Sequence, residues 1–256
     1  MRARLIAALS ILGFLAIWEV VARSGLVPED YFASPSTTAV VMVDEIRRGH
    51  LGIAVVMTFA RALIGLVLAA IIGLGVALFT ARYRIARSTF DPVAEFLRPL
   101  PPAAIVPLAI FFLGLGWPLY FFVLTMACFW PIYLNASQAL AATPAVQIQT
   151  ARSFGYGRWA IMREVRLPAA LPTIFIGIRQ AATIALIAAV ATEMIAGRNG
   201  LGFYLMDSAM TLQVPQTFAA LFLAMLSGIV MNALVVALRG LLTGWHETMM
   251  QVARRS

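Results

Sequence analysis

Residues 54–80 form an unbroken apolar run that carries a single charge, Arg61. A helix needs about 20 mostly apolar residues to cross the hydrocarbon core of a bilayer, so one such run already dictates a membrane span. Five further stretches are comparable: 5–22, 93–115 (interrupted by Pro99, Pro101 and Pro102), 118–140, 169–195 and 218–245. With 62% hydrophobic and 12% charged residues among 256, little chain is left for a soluble domain. The expected fold is an all-α membrane protein of about six transmembrane helices. The whole of 1–256 is expected to be one transmembrane domain with a core at about 51–245.

The absence of certain residue types removes several chemistries. All 19 basic residues are arginine, which excludes a phosphate-binding GxxxxGK[ST] loop and a Schiff-base lysine. Cys128 is the single cysteine, so no disulfide framework or cysteine-rich metal site is available. His246-Glu247 begins an H-E-x-x-H pattern, but Met250 stands at the second histidine position and His50 falls in a different connection. No metal, no cofactor and no catalytic residue is therefore assigned, and an intramembrane enzyme is the weakest reading. The net charge of +8 reflects arginine-rich inner loops rather than nucleic-acid binding.

The charges orient the chain. With the N-terminus inside, the inner segments collect Arg2, Arg4, Arg82, Arg84, Arg87, Arg152, Arg158, Arg163, Arg166, Arg254 and Arg255, and the outer ones Arg23, Arg47, Arg48 and Arg198. Eleven against four follows the positive-inside rule, so both termini are expected in the cytoplasm. The first apolar run continues past Glu19 to Ala22 without a small-x-small site, which favours a retained signal-anchor helix. In the first outer connection Pro35, Ser36 and Thr37 read as a turn and cap, and Val40, Val43 and Ile46 recur at helical spacing. A short amphipathic helix on the outer surface is expected there. Asn199-Gly200 and Gly202 precede an apolar run too short to span, expected as a small helix dipping back into the protein.

The inner stretch 143–168 has its own grammar. Thr143-Pro144 supplies a cap and a first-turn proline, and Gly155 permits a helix to stop. A second short helix is expected from Arg158 to Val165, with Trp159 and Met162 on one side, ended by Pro168. On the four arginines alone, a basic loop obeying charge asymmetry would suffice. The spacing of Ala151, Gly155, Val165, Leu167 and Pro168 resembles E-A-A-x3-G-x9-I-x-L-P, the cytoplasmic loop of binding-protein-dependent ABC importer permeases. Gln149 and Thr150 replace the motif's Glu and Ala, and Val165 its Ile. Further stretches, "DPVAEFLRPLPPAAIVPLAIFFLGLG", "AEM" within "VATEMIAG" and "GLGFYLMDS", look like the nitrate, sulfonate, taurine and bicarbonate branch.

That resemblance implies the type I importer arrangement, with a coupling-helix loop at 143–168 carrying Gln149, Ala151, Arg152, Gly155, Arg158, Val165, Leu167 and Pro168. It implies two ABC ATPase subunits holding ATP and Mg, a second permease copy in a homodimer, and a periplasmic or lipid-anchored substrate-binding protein. The location implied is the inner membrane, as a multi-pass protein among lipid.

Ionisable residues at membrane depth mark pathways or internal pairs. Arg61, Glu95, Arg98, Arg179, Glu193 and Arg239 are the set to weigh. Glu95 and Arg98 are spaced to pair, and Pro99, Pro101 and Pro102 break the helix beside them, making Arg98, Pro101 and Pro102 candidate pathway wall. Arg179 lies about 16 Å up the fifth span and suits an oxyanion or a pairing with Glu95. Asn135 and Thr183, with Gln138 and Gln180, could line a polar lumen or act as glue between helices. Glu193 marks the outer end, as gate, docking point or interfacial carboxylate. The competing function, an ion-coupled secondary transporter or channel without an ATPase, calls for an internal repeat with paired broken helices, and none is found.

Overall fold

The computed structural model of the chain describes residues 2–28 and 31–253, and every regular element among them is helical. In chain order these are α1 (Arg2–Arg23), α2 (Pro35–Arg47), α3 (His50–Arg82), α4 (Arg84–Leu97), α5 (Pro102–Leu113) and α6 (Trp117–Ala141). There follow α7 (Ala145–Ser153), α8 (Arg158–Ile161), a π-helical turn (Met162–Arg166), α9 (Leu167–Ala196), α10 (Leu201–Met210) and α11 (Val214–Ala253). Among the described residues four stretches are long and apolar enough to cross a membrane: His50–Arg82, Trp117–Ala141, Arg158–Ala196 and Val214–Leu242. The expected third span is instead two helices bent by 102° at Arg98 to Pro101, and counting that pair gives five. The first expected span coincides with α1, which is not among those stretches; its Leu9, Leu12, Phe14 and Ile17 are exposed.

Contacts divide the chain into two compact units, Met1–Phe59 with Val190–Ser227, and Ala60–Ala189 with Gly228–Ser256. The first has a core of Leu51, Ala54, Leu201, Ala219, Ala220 and Leu223. Its N-terminal part is pinned by Trp18, which stacks on Phe222 and donates from Nε1 to the Ala33 carbonyl at 3.1 Å. Glu19 accepts from the Ser36 amide at 3.0 Å, putting a carboxylate at the positive end of α2. The expected amphipathic helix is thus α2, with Val40, Val43 and Ile46 exposed on it. Its cap is Ser34, whose hydroxyl accepts from the Thr37 amide, rather than Ser36 or Thr37.

The second unit is organised around α6, whose Leu124, Cys128, Ile132, Tyr133 and Ala136 are buried. Small residues let neighbouring helices approach it closely. A Cβ at Gly65 would strike Leu124, and one at Gly177 would strike the Pro131 carbonyl and Asn135. Tyr133 donates to Asp91 at 2.8 Å, and Asp91 also pairs with Arg87 at 3.3 Å, which fastens α4 to α6 by its polar face. Of the charges used to orient the chain, Arg254 and Arg255 lie outside the described residues.

Candidate functional site

In the stretch 143–168, α7 ends by a fully backbone device. Gly155 takes φ +80°, its amide donates to the Arg152 carbonyl at 2.9 Å, and the Tyr156 amide reaches the Ala151 carbonyl at 3.1 Å. This crossed pair is the Schellman motif, which needs a residue tolerant of the left-handed region at the position of Gly155. The Ala151-to-Gly155 spacing seen in the sequence is the spacing of that motif. No side chain of α7 is buried, and Val146, Phe154 and Trp159 stand exposed beside Arg152 and Arg158. Gln149 is exposed on α7. A cleft of about 590 Å³ opens here, lined by Val146, Thr150, Ala151, Phe154, Tyr156, Glu164 and Val165 among others.

Three expectations for this stretch are corrected. Thr143 does not cap α7: its hydroxyl turns back to the Leu140 carbonyl at 3.3 Å, and Pro144 holds the N-cap position without a side-chain bond. Trp159 and Met162 do not share a side, being 72% and 6% exposed. Pro168 does not end the second helix. The π turn lets the Leu167 amide reach the Met162 carbonyl five residues back, and the widened turn accommodates a proline ring that would otherwise meet the carbonyl four residues before it. The helix therefore runs on from Arg158 to Ala196, and Val165, Leu167 and Pro168 belong to the base of a span.

At the bend, Pro101 is the N-cap of α5 and Pro102 its first residue, so neither missing amide leaves a donor unsatisfied. Arg98 is exposed at the end of α4. Among the described residues Glu95 and Arg98 form no ion pair with each other. The α4 carboxylate that is engaged is Asp91.

A cleft of about 320 Å³ lies against α9 and α11, lined by Arg179, Gln180, Thr183 and Arg239 with Phe175, Ile176, Val235 and Val236. Arg179 Nε donates to Asn232 Oδ1 at 2.8 Å. Gln180 Oε1 accepts from Asn135 Nδ2 at 3.3 Å, and the same amide nitrogen also reaches the Pro131 carbonyl. Asn135 therefore ties α6 to α9 beside the close approach at Gly177 and is not among the cleft-lining residues. Arg61, nearly buried, lies with its guanidinium 4.1 Å from the Tyr120 ring centroid and 5.6 Å from that of Trp117.

Glu193 is fully buried. Its Oε2 accepts from Thr58 Oγ1 at 2.7 Å and from the Gly202 amide at 3.0 Å, while Thr58 Oγ1 accepts from the Leu201 amide at 2.8 Å. A carboxylate thus closes the positive end of α10, with Thr58 as a relay. A Cβ at Gly200 or Gly202 would collide with Glu193 or with the Val190 carbonyl.

The structure brings Arg179 and Thr183 into one cleft. It places Arg98, Pro101 and Pro102 at the α4–α5 bend, Asn135 in a helix contact and Glu193 in a buried cap. Sequence reasoning gave no role to Asn232, Glu164 or Thr58, and did not join Arg239 to Arg179. The sequence signal for the last was the seven-residue step from Asn232 to Arg239, two helical turns on one face.

Comparison with known proteins gives a consistent result. The family model for the binding-protein-dependent transport system inner membrane component matches residues 69–244. The bicarbonate transport system permease protein CmpB of Synechococcus elongatus is 31% identical over 207 residues, covering 77% of this chain and 74% of that protein. SsuC of Bacillus subtilis, provisionally named a transport permease protein for aliphatic sulfonates, is 27% identical over 234 residues, covering 91% and 85%. Among solved structures, an inward-facing form of the MetNI methionine ABC transporter matches with TM-score 0.60 at 21% identity, over 75% of this chain and 98% of the matched one.

Proposed function

The chain belongs to the inner-membrane components of binding-protein-dependent transport systems, and we propose that it builds the membrane pathway of an ATP-driven importer for a small anion. As an ABC importer permease it does no covalent chemistry; ATP hydrolysis lies in partner subunits, and a substrate-binding protein is its other partner. The observation that carries the finer reading is the α7–Gly155–α8 segment. A helix with no buried side chain, ended by backbone bonds alone and flanked by exposed Val146, Phe154 and Trp159, is a surface kept for another protein. Its occupant is the ATPase, with Gln149, Ala151, Arg152, Gly155 and Arg158 on the docking segment. Val165, Leu167 and Pro168 join it rigidly to α9. ATP and Mg bind on that partner, two copies of which face two copies of this permease.

The pathway runs along the exposed polar face of α9. Arg179, Gln180 and Thr183 are all exposed there, about 16 Å or more from Pro168 at the helical rise. An arginine at that depth is costly against lipid, so the face is covered by a second copy of the chain and by water. Arg98, Pro101 and Pro102 contribute the broken wall, and Asn135 holds α9 in place. Glu193 fixes α10 near the outer mouth, where the periplasmic or lipid-anchored binding protein delivers its solute. Both termini are cytoplasmic. The substrate class rests on Arg179 and on the bicarbonate and sulfonate names of the relatives.

The test is reconstitution in proteoliposomes with the ATPase and the binding protein. Uptake is expected only with both partners and with Mg-ATP. Uptake that persists without ATPase or ATP would identify an ion-coupled carrier or channel and overturn the reading. Arg179→Ala is expected to impair uptake of an anion by about tenfold or more, the loss of one charge-assisted contact.

A further inference from the structure

Arg239 shares the Arg179 cleft, a fact with chemical content beyond the pathway proposed above. The two arginines come from different helices, α9 and α11, and line one space of about 320 Å³. None of the eight lining residues is acidic: the others are Gln180, Thr183 and four apolar side chains. A monoanion placed between two guanidinium groups is attracted by both. Asn232 fixes the geometry. Its Oδ1 accepts from Arg179 Nε, and among the described residues Arg179 makes no other hydrogen bond and no ion pair. The terminal nitrogens of Arg179 are thereby oriented rather than occupied, the state in which a guanidinium fork takes two oxygens of one ligand. The exposed Thr183 hydroxyl and Gln180 amide add neutral groups for a third oxygen.

We propose that Arg179 and Arg239 form a two-arginine site for a small oxygen-rich monoanion, such as a carbonate-type or sulfonate headgroup, with Asn232 as the residue that positions Arg179. This deepens the functional reading above and rests on it. The apolar side of the cleft, Phe175, Ile176, Val235 and Val236, accommodates a short hydrocarbon tail. Cations are disfavoured by both arginines.

The test uses the full transporter in proteoliposomes, supplied in separate arms with isotopically labelled bicarbonate and with labelled ethanesulfonate. The variants are R179Q, R239Q, R239K and R179Q/R239Q, each checked for assembly by co-elution and thermal midpoint. Arg239→Gln is expected to lower uptake of the transported anion by about tenfold or more, the order of one charged hydrogen-bonding contact. R239K should recover part of it. R179Q/R239Q should be little worse than the poorer single variant, since both residues hold the same ion and their effects are coupled. Unchanged uptake in R239Q, fully additive losses, or a parallel fall in thermal midpoint that R239K does not relieve would overturn the site. A parallel series in vesicles with and without anionic lipid covers the other source of such a headgroup: an Arg239 effect confined to anionic vesicles would assign the cleft to lipid and sink the proposal. If the wild-type transporter carries neither anion, the substrate class itself fails and this site falls with it.

Discussion

Two helix ends in this chain are closed in opposite ways. α7 ends on Gly155, whose crossed backbone bonds satisfy the last carbonyls while no side chain on the helix is buried. α10 begins under Glu193, a fully buried carboxylate aimed at its first amides and seconded by Thr58 from α3. The backbone solution leaves a surface available to a partner. The side-chain solution commits a buried charge and makes an internal joint that cannot open without breaking its bonds to that carboxylate. The comparison separates a surface meant for contact from a joint meant to hold, although both are rich in glycine and both carry polar residues.

The largest effect expected from breaking the contrast is at the joint. Gly202→Val places branched carbon against the Val190 carbonyl and Glu193, and should abolish accumulation of folded protein, read by size-exclusion chromatography of a fluorescent fusion. Next, Glu193→Ala strands the Gly202 amide and the Thr58 hydroxyl. It should cost about 2–4 kcal/mol, the scale for removing a charged partner from buried donors, seen as a lowered thermal midpoint in detergent. A midpoint equal to wild type would remove the cap from the account.

Gly155→Pro acts on the other end. Proline cannot take φ +80° and has no amide for Arg152, yet nothing packs on the site. Uptake should fall about tenfold or more while the midpoint moves by only a few degrees, since the loss is local and exposed; ATP hydrolysis should continue without transport. Coupled transport at the wild-type rate would count against the docking segment. The smallest effect is reserved for Glu164→Gln, expected to change coupling about two- to threefold, the range of an exposed charge contact. Glu164 lines the cleft beside α7 and supplies a carboxylate near a helix that has Gln149 where the resemblance expects one.

The α7 end was readable because a Schellman motif is local: Ala151 and Gly155 are four apart, and the φ requirement falls on one residue. The Pro99, Pro101 and Pro102 cluster likewise announced a break, though not its 102° angle. Glu193 was visible as an expensive buried charge, but its partner Thr58 is 135 residues away, and no pattern along the chain connects them. Pro168 misled for a related reason. A proline stops an ordinary helix, and only a π turn upstream lets the chain continue; five residues reading Met-Arg-Glu-Val-Arg give no sign of one. Arg179 and Arg239 were both marked as intramembrane charges, and what the sequence lacked was the cleft that joins them.

The π turn at Met162–Arg166 has a mechanical corollary. It stores one surplus residue at the foot of a 39-residue helix. Relaxing that surplus would rotate everything before it by about 100° around the helix axis and slide it about 1.5 Å, the increments of one residue. The α7–α8 segment is thus mounted on a ratchet tooth: recasting the turn as α-helix with all its residues kept would point Trp159 and its neighbours in a different direction, whereas deleting one residue would remove the surplus and leave their direction unchanged.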